Sequence, residues 1–283
     1  MDKKTTRKTS KKSRPRRKRS GGSLLGAMGA LLIGAVLMLA AYIAVSYFFF
    51  VTPLSFRWKA MYGEPDYPTG YDVMGIDISH HQGNIEWEHL RNAKVNGKPL
   101  RFVFVKATEG TTLLDENFNE NFYRIRENNL VRGSYHYYKP NKDAKEQAQF
   151  FLKQAHLQEG DLPPVLDIEE RGGKALKDFQ KDVLVWLNLV EKAYGVPPII
   201  YTGYRFKEDY LSTKDFDRYP LWIAHYYEKQ LKYKGQWRFW QYTDYGKVDG
   251  IKGTVDYNLF NGDMKDLMQL TLQPNDEEPI EGL

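Results

Sequence analysis

The segment Val165–Glu169, which reads V-L-D-I-E, constrains the fold and chemistry of this chain more than any other stretch. Its apolar residues favour a buried strand. Because side chains two apart on a strand point to the same side, Asp167 and Glu169 are predicted to share one face at a strand end. Two carboxylates so close repel each other, so the pKa of one of them should rise.

The same arrangement of an apolar segment ending in a carboxylate occurs twice more. Met74–Ser79 reads M-G-I-D-I-S and contains Asp77, and Gly253–Tyr257 reads G-T-V-D-Y and contains Asp256. An isolated D-x-E is more often a solvated strand end. Three such segments instead predict a barrel whose strand ends converge on one pocket. A raised-pKa acid beside an ionised carboxylate is the pair that glycoside hydrolysis needs.

Short apolar runs alternate with helical periodicity through residues 71–270, which predicts an α/β domain with a mainly parallel sheet. Long helices are absent between the late strands. We therefore predict an irregular, TIM-like (β/α) barrel, preceded by one transmembrane helix. Besides the segments above, strands are predicted at residues 101–106, 133–138, 198–201, 220–225 and 237–242.

Charged residues are distributed unevenly along the chain, so the net charge of the whole chain is misleading. Residues 1–23 hold 11 Lys or Arg and one Asp, whereas the remaining residues hold 30 basic and 35 acidic side chains. A basic tail alone is compatible with a nucleic-acid arm. Residues 24–51 follow it without a single charge, and about 20 such residues suffice to cross a bilayer. We therefore predict a membrane partner and no nucleic-acid partner.

The positive-inside rule keeps the tail of residues 1–23 in the cytoplasm and places the rest of the chain outside it. A cleaved signal peptide is the alternative, but its apolar region is usually only about 7–15 residues long. Residues 52–70, with three prolines, are predicted to form a linker, and residues 271–283 an acidic tail. The chain has no cysteine, which excludes disulfides and thiolate metal sites.

Eight motifs, in order along about 190 residues, resemble those of the glycoside hydrolase family 25 lysozymes, also called Chalaropsis-type N-acetylmuramidases. The motifs are G-I-D-I-S-H-H-Q-G at 75–83, F-V-K-A-T-E-G at 104–110, R-G-S-Y-H-Y-Y-K-P at 132–140, V-L-D-I-E at 165–169, I-Y-T-G at 200–203, L-W-I-A-H-Y at 221–226, W-Q-Y-T-D-Y-G at 240–246 and V-D-Y-N-L-F at 255–260. The resemblance implies a distorted (β/α) barrel. It also implies cleavage of the β-1,4 bond from N-acetylmuramic acid to N-acetylglucosamine, with the peptidoglycan glycan strand as partner.

The resemblance also assigns roles to the acids. Glu169 matches the family's general acid, and Asp167, Asp77 and Asp256 match its other acidic positions. We expect the substrate's 2-acetamido oxygen, supported by Asp167, to trap the sugar cation, with a carboxylate nucleophile as the alternative. One departure is the family's Y-H-F-A-R-P, which reads Y-H-Y-Y-K-P at residues 135–140.

Strand-end position and the resemblance together predict a set of substrate-binding residues, namely Lys106, Tyr135, Tyr137, Tyr201, Trp222 and Gln241. For Lys106, a plain ion pair with an acid is an equal alternative. The six histidines show no metal-ligand spacing, so hydrogen-bonding roles are predicted, with no metal and no cofactor. Trp58, Trp87 and Trp186 are predicted to be structural or linker-associated.

Two other functions compete with a lysozyme. A chitinase-like hydrolase also uses close acids with acetamido participation, but it would need D-x-x-D-x-D-x-E, and residues 162–166 read L-P-P-V-L. A membrane-anchored, non-catalytic peptidoglycan-binding protein would be expected to lack at least one of the four acids, and all four are present.

Overall fold

The computed structural model describes residues 24–52, 57 and 67–274. The basic tail of residues 1–23, most of the predicted linker and residues 275–283 of the acidic tail lie outside the described residues. The chain divides into two units, Met1–Arg57 and Trp58–Leu283, which are treated separately below.

The first unit contains a single described helix, α1 (Leu24–Phe50). Its 27 residues include no charged side chain, and none of the span Gly26–Phe50 is buried within the protein. At 1.5 Å per residue the helix is about 40 Å long, more than the hydrocarbon core of a bilayer. One apolar helix of this kind fits a membrane anchor or a signal sequence.

The second unit contains ten described strands. They are β1 (Met74–Ile78), β2 (Lys94–Val95), β3 (Lys98–Glu109), β4 (Leu113–Leu114), β5 (Val131–Tyr137), β6 (Val165–Asp167), β7 (Ile199–Gly203), β8 (Leu221–Ala224), β9 (Phe239–Gly246) and β10 (Val255–Phe260). Six described α-helices accompany them, namely α2 (Trp87–Leu90), α3 (Phe118–Glu127), α4 (Ala144–Gln154), α5 (Leu176–Tyr194), α6 (Tyr204–Tyr210) and α7 (Met264–Leu270).

Eight of these strands close into a barrel in the order β1-β3-β5-β6-β7-β8-β9-β10, with β10 returning to β1. The predicted mixed α/β barrel is therefore confirmed, but its TIM-like description is not. Strand β10 runs antiparallel to both β9 and β1, and no helix separates β8, β9 and β10 within the described residues. Strands β9 and β10 are antiparallel and need only a short loop, whereas β8 and β9 are parallel and are joined by a crossover, residues 225–238, that contains no helix.

The V-L-D-I-E segment is shorter as a strand than its pattern predicts. Strand β6 ends at Asp167, although the amide of Ile168 still donates to the carbonyl of Tyr201 at 2.9 Å. Glu169 therefore lies beyond the last strand residue, where the chain leaves the barrel. Of the two acids that were predicted to share one face of a strand, only Asp167 lies in the strand.

Aromatic side chains fill the inside of the barrel below its carboxyl end. Phe104 stacks on Trp222 with ring centroids 4.3 Å apart and meets Phe239 edge-on at 5.1 Å. The neighbouring strand makes room for this ring, because a Cβ on Gly133 would lie 2.4 Å from Phe104 Cε1. The interior of the barrel is consequently filled by side chains at this level, and space remains only nearer the carboxyl ends of the strands.

The boundaries of the folded unit reach slightly beyond residues 71–270. Tyr67 packs edge-on against Tyr242, with centroids 5.7 Å apart. At the other end Leu272 is buried, and its amide donates to the carbonyl of Asp161 at 2.8 Å. Short segments at both ends therefore add to the core.

Candidate active site

A cavity of about 170 Å³ opens at the carboxyl ends of the parallel strands. All ten residues that the sequence predicts for the site line it, together with two that it does not predict. The lining residues are Asp77, Ser79, His81, Lys106, Tyr135, Tyr137, Asp167, Glu169, Tyr201, Trp222, Gln241 and Asp256. Strand ends distant in the sequence thus bring four carboxyl groups into one cavity.

Asp167 and Glu169 form the first pair of acids. Asp167 is buried, and its Oδ1 has no hydrogen-bond partner among the described residues. Burial, followed by repulsion from Glu169 and Asp77, raises the pKa of Asp167 well above its usual range. Glu169 is exposed as a residue, but desolvation of its carboxyl group within the cavity still raises its pKa. Because the two carboxyl groups repel each other, their titrations are coupled.

Asp77 and Asp256 form the second pair, and their side chains are hydrogen-bonded to each other. Burial raises the pKa of both carboxyl groups, and repulsion from Asp77 raises that of Asp256 further. Unlike Asp167, Asp77 has amide donors. Its Oδ2 accepts from Asn258 Nδ2 at 2.7 Å and from Gln241 Nε2 at 2.8 Å.

The predicted aromatic residues differ in depth. Trp222 is 2% exposed and Tyr201 is 7% exposed, so both rings form the floor of the cavity and also belong to the core. Trp222 Nε1 donates to Asn258 Oδ1 at 2.8 Å, and the Tyr201 hydroxyl donates to Gln241 Oε1 at 2.7 Å. Tyr135 and Tyr137 are half-buried and form one side of the cavity. Contact of these rings with a sugar stays a prediction.

Lys106 has an ion-pair partner. Its Nζ lies 2.5 Å from Glu109 Oε2, and Lys139 Nζ lies 3.2 Å from the other oxygen of the same carboxylate. Both ammonium groups also lie over the ring of Tyr137, at 5.1 and 4.4 Å from its centroid. The Tyr137 hydroxyl is 3.4 Å from Glu169 Oε2. Two cations therefore lie close to the exposed acid, and they lower its pKa against the effect of burial.

Sequence reasoning missed residues that shape the cavity from its edge. Ser79 and His81 line it directly, and Tyr226 donates its hydroxyl proton to Gln241 Oε1 at 2.7 Å. Asn258 was also missed, although strand alternation could have found it. In V-D-Y-N-L-F it lies two residues after Asp256 and therefore on the same inner face.

The histidines of the described chain have varied surroundings. His80 Nδ1 lies 2.7 Å from Asp115 Oδ2, and buried His136 lies between Thr108 and Gln147. His225 Nδ1 is buried without a partner. Within residues 24–52, 57 and 67–274, no group of three or more His, Asp or Glu side chains is placed to hold a metal ion.

Residues 76–251 match the family described as glycosyl hydrolases family 25, and the chain belongs to this family. The resemblance drawn from the eight motifs is thereby confirmed, and the protein is a glycoside hydrolase.

Relatives and solved structures agree with this placement. The chain is 46% identical over 201 residues to the uncharacterized protein YegX of Escherichia coli K12, covering 71% of this chain and 74% of that protein. It is 31% identical over 213 residues to lysozyme M1 of Streptomyces globisporus, covering 70% and 71% of the two chains. The bacterial lysozyme of Streptomyces coelicolor superposes with a TM-score of 0.65 at 29% identity, covering 72% of this chain and 98% of that one.

Proposed function

We propose that this protein is a lysozyme that hydrolyses the β-1,4 bond between N-acetylmuramic acid and N-acetylglucosamine in peptidoglycan. The observation that supports this most directly is the convergence of four carboxyl groups in one cavity of a family 25 barrel. The names of the relatives, lysozyme M1 among them, point to the same substrate.

Glu169 is the proposed general acid. It is the acid of the first pair that reaches the mouth of the cavity, where the glycosidic oxygen of a long glycan can approach it. Desolvation raises its pKa, which favours the protonated form that a general acid needs. That proton passes to the leaving oxygen as the bond from the sugar breaks.

Asp167 is the proposed partner for the substrate's 2-acetamido group. Its buried Oδ1 has no donor within the described protein, and an amide N–H of the substrate would supply one. Such a hydrogen bond favours the ionised form of Asp167, while Glu169 supplies the proton. The oriented acetamido oxygen then attacks the anomeric carbon, and water later opens the cyclic intermediate with Glu169 acting as base.

Asp77 and Asp256 complete the proposed catalytic set by adding negative charge beside the developing sugar cation. Lys106, Tyr135 and Tyr137 are proposed to contact the glycan along one side of the cavity. The rings of Tyr201 and Trp222 support it from below, with their edges in the cavity lining.

Glu169→Gln tests the assignment, because the amide keeps the shape of the side chain and removes its proton. We expect peptidoglycan hydrolysis to fall by about 10²–10⁴ with unchanged folding. Glu170→Gln is the matched control, since this exposed neighbour does not line the cavity, and it should keep wild-type activity. Near-normal turnover of Glu169→Gln would remove this residue from the mechanism.

Mass spectrometry of the digest separates the competing functions. A lysozyme leaves reducing muramic acid ends, whereas a glucosaminidase leaves reducing glucosamine ends. Cleavage of chitin oligosaccharides in preference to peptidoglycan would favour the chitinase-like alternative. Binding to peptidoglycan without any new reducing ends would favour a non-catalytic tether.

Helix α1 is proposed to anchor the enzyme in a lipid bilayer, with residues 1–23 in the cytoplasm and the hydrolase domain outside it. Its length, its lack of charge and the 11 basic residues before it support this orientation. A phosphatase reporter fused after Leu283 should be active only outside the cytoplasm. Cytoplasmic activity of the reporter would overturn both the orientation and the access to peptidoglycan.

A further inference from the structure

Gln241 is a candidate for a role other than contact with the substrate. It is 2% exposed, and both ends of its amide are engaged. Its Oε1 accepts hydrogen bonds from the Tyr201 and Tyr226 hydroxyls, each at 2.7 Å. Its Nε2 donates to Asp77 Oδ2 at 2.8 Å and to Asp256 Oδ2 at 3.1 Å. The two phenols therefore fix which end of the amide faces the acids.

Asn258 repeats the same arrangement from the neighbouring strand. Its Oδ1 accepts from Trp222 Nε1 at 2.8 Å, and since an indole N–H only donates, this contact fixes the orientation of the amide. Its Nδ2 donates to Asp77 Oδ2 at 2.7 Å. One oxygen of Asp77 thus receives two N–H donors, each held in place from behind.

We propose that Gln241 and Asn258 are positioning residues that keep Asp77 ionised and leave the proton of the Asp77–Asp256 pair on Asp256. The proposal deepens the proposed hydrolase function and rests on it. Two donors converge on Asp77, whereas Asp256 receives only the longer bond from Gln241. The Asp77–Asp256 pair then carries one negative charge beside the sugar cation. Because Asp256 is protonated, it does not repel the charge on Asp77.

The other groups around the pair act in the opposite direction. Glu169 on the β6 side, and Asp244 on β9, raise the pKa of the pair by repulsion. Asp167 also interacts repulsively with Asp77. The phenols of Tyr135, Tyr201 and Tyr226 face the same carboxylates, and the nearest cation in the cavity lining, Lys106, is paired with Glu109. The amide donors and the proton of Asp256 are therefore what favours ionised Asp77.

The sign of the expected effect follows from this balance. Removing a donor to an ionised carboxylate raises its pKa, so Asp77 takes up a proton at a higher pH. The acidic limb of the pH–rate profile should then move upward, by about 1–2 pH units for a hydrogen bond to a charged group. The basic limb reports loss of the donor proton from Glu169 and should stay in place.

Three variants of the full-length chain in detergent test the proposal on purified peptidoglycan. Gln241→Met removes the amide at similar size. The double variant Tyr201→Phe with Tyr226→Phe keeps the Gln241 amide but removes the two hydroxyl donors that fix its orientation. Tyr242→Phe is the matched control, because this buried hydroxyl on the same strand has no hydrogen-bond partner in the part of the chain that the structure describes.

We expect both the Gln241 and the double variant to shift the acidic limb upward, while Tyr242→Phe overlays the wild type. A uniform loss of rate with both limbs unmoved would mean a purely structural role and would overturn the proposal. If Gln241→Met fails to fold, the double variant decides in the same way, since it keeps every ring in place.

A carboxyl titration separates this proposal from the proposed function. The ¹³C signal of Asp77, assigned through Asp77→Asn, should titrate at a higher pH in the double variant than in the wild type, whether or not the protein is active. A wild-type protein that releases no reducing ends at any pH would refute the hydrolase proposal alone. An unchanged midpoint for Asp77 would refute the role of the two amides.

Discussion

Replacing Trp222 by phenylalanine should cost more than the same replacement at Trp186, although both indoles are fully enclosed in the core. Trp222 stacks on Phe104 and donates its indole N–H to Asn258 Oδ1 at 2.8 Å. Trp186 stacks on His136 with centroids 5.6 Å apart, and its buried Nε1 has no hydrogen-bond partner within the described chain. The two changes remove the same atoms, but only the first breaks a hydrogen bond.

The size of the difference in stability follows from the polar group that loses its partner. Trp222→Phe leaves the buried Asn258 carbonyl oxygen without a donor, which costs about 1–3 kcal/mol beyond the loss of ring volume. Trp186→Phe leaves no such orphan. For a domain of this size, the midpoint of thermal unfolding should therefore be lower in Trp222→Phe by about 2–4 °C per kcal/mol. Trp222→Ala should cost about 3–5 kcal/mol in total, as expected for a buried aromatic.

Urea unfolding of the full-length variants, followed by near-ultraviolet circular dichroism, measures these differences directly. Equal losses in the two phenylalanine variants would mean that the indole hydrogen bond contributes nothing to stability. A loss below about 1 kcal/mol in Trp222→Ala would refute the placement of this ring in the core. The ring would then be a groove surface for the sugar, as the sequence alone suggests.

Three further perturbations have definite expected outcomes. Tyr137→Phe removes a hydroxyl that favours ionised Glu169, so the pKa of this acid should rise and the basic limb of the pH–rate profile should move to higher pH. Gly133→Ala places a Cβ 2.4 Å from Phe104 Cε1 and should lower the free energy of unfolding by about 1–3 kcal/mol in urea titrations. Burial lowers the pKa of His136 from its usual 6.5 to about 4, so the unfolded chain takes up the proton first, and the residue's contribution to stability is lost as pH falls from 6.5 to about 4. A folded His136→Gln variant should lose less stability over that interval, and equal losses would contradict this assignment.

The positions of the acids could be predicted from the sequence because they depend on local rules. An apolar run that ends in a carboxylate specifies a buried strand and the point where that strand ends. The carboxyl ends of parallel strands lie at the same edge of the sheet. Asp77 and Asp167 meet that rule directly. Glu169 lines the same cavity from beyond the end of the strand, so it does not lie there by the shared strand face from which the sequence predicts it.

The direction of β10 and the hydrogen bonds around Asp77 could not be predicted in that way. V-D-Y-N-L-F alternates identically in a parallel and an antiparallel strand, so the pattern is silent on direction. The amides of Gln241 and Asn258 lie 164 and 181 residues from Asp77, and such pairing depends on how the barrel closes. The depth of Trp222 likewise depends on the space that Gly133, on another strand, leaves for Phe104.

The two acid pairs differ in the source of their hydrogen-bond donors. Asp77 receives its donors from the protein, through amides held by phenols and an indole, so the proposed charge of Asp77 does not depend on a substrate. Asp167 is equally buried but has an oxygen without a donor, and an isolated buried carboxylate is costly in its ionised form. A ligand that brings an N–H group to that oxygen removes the cost. A 2-acetamido sugar does so and a plain glucose unit does not, so the proposed role of Asp167 includes the selection of amino-sugar substrates as well as their orientation.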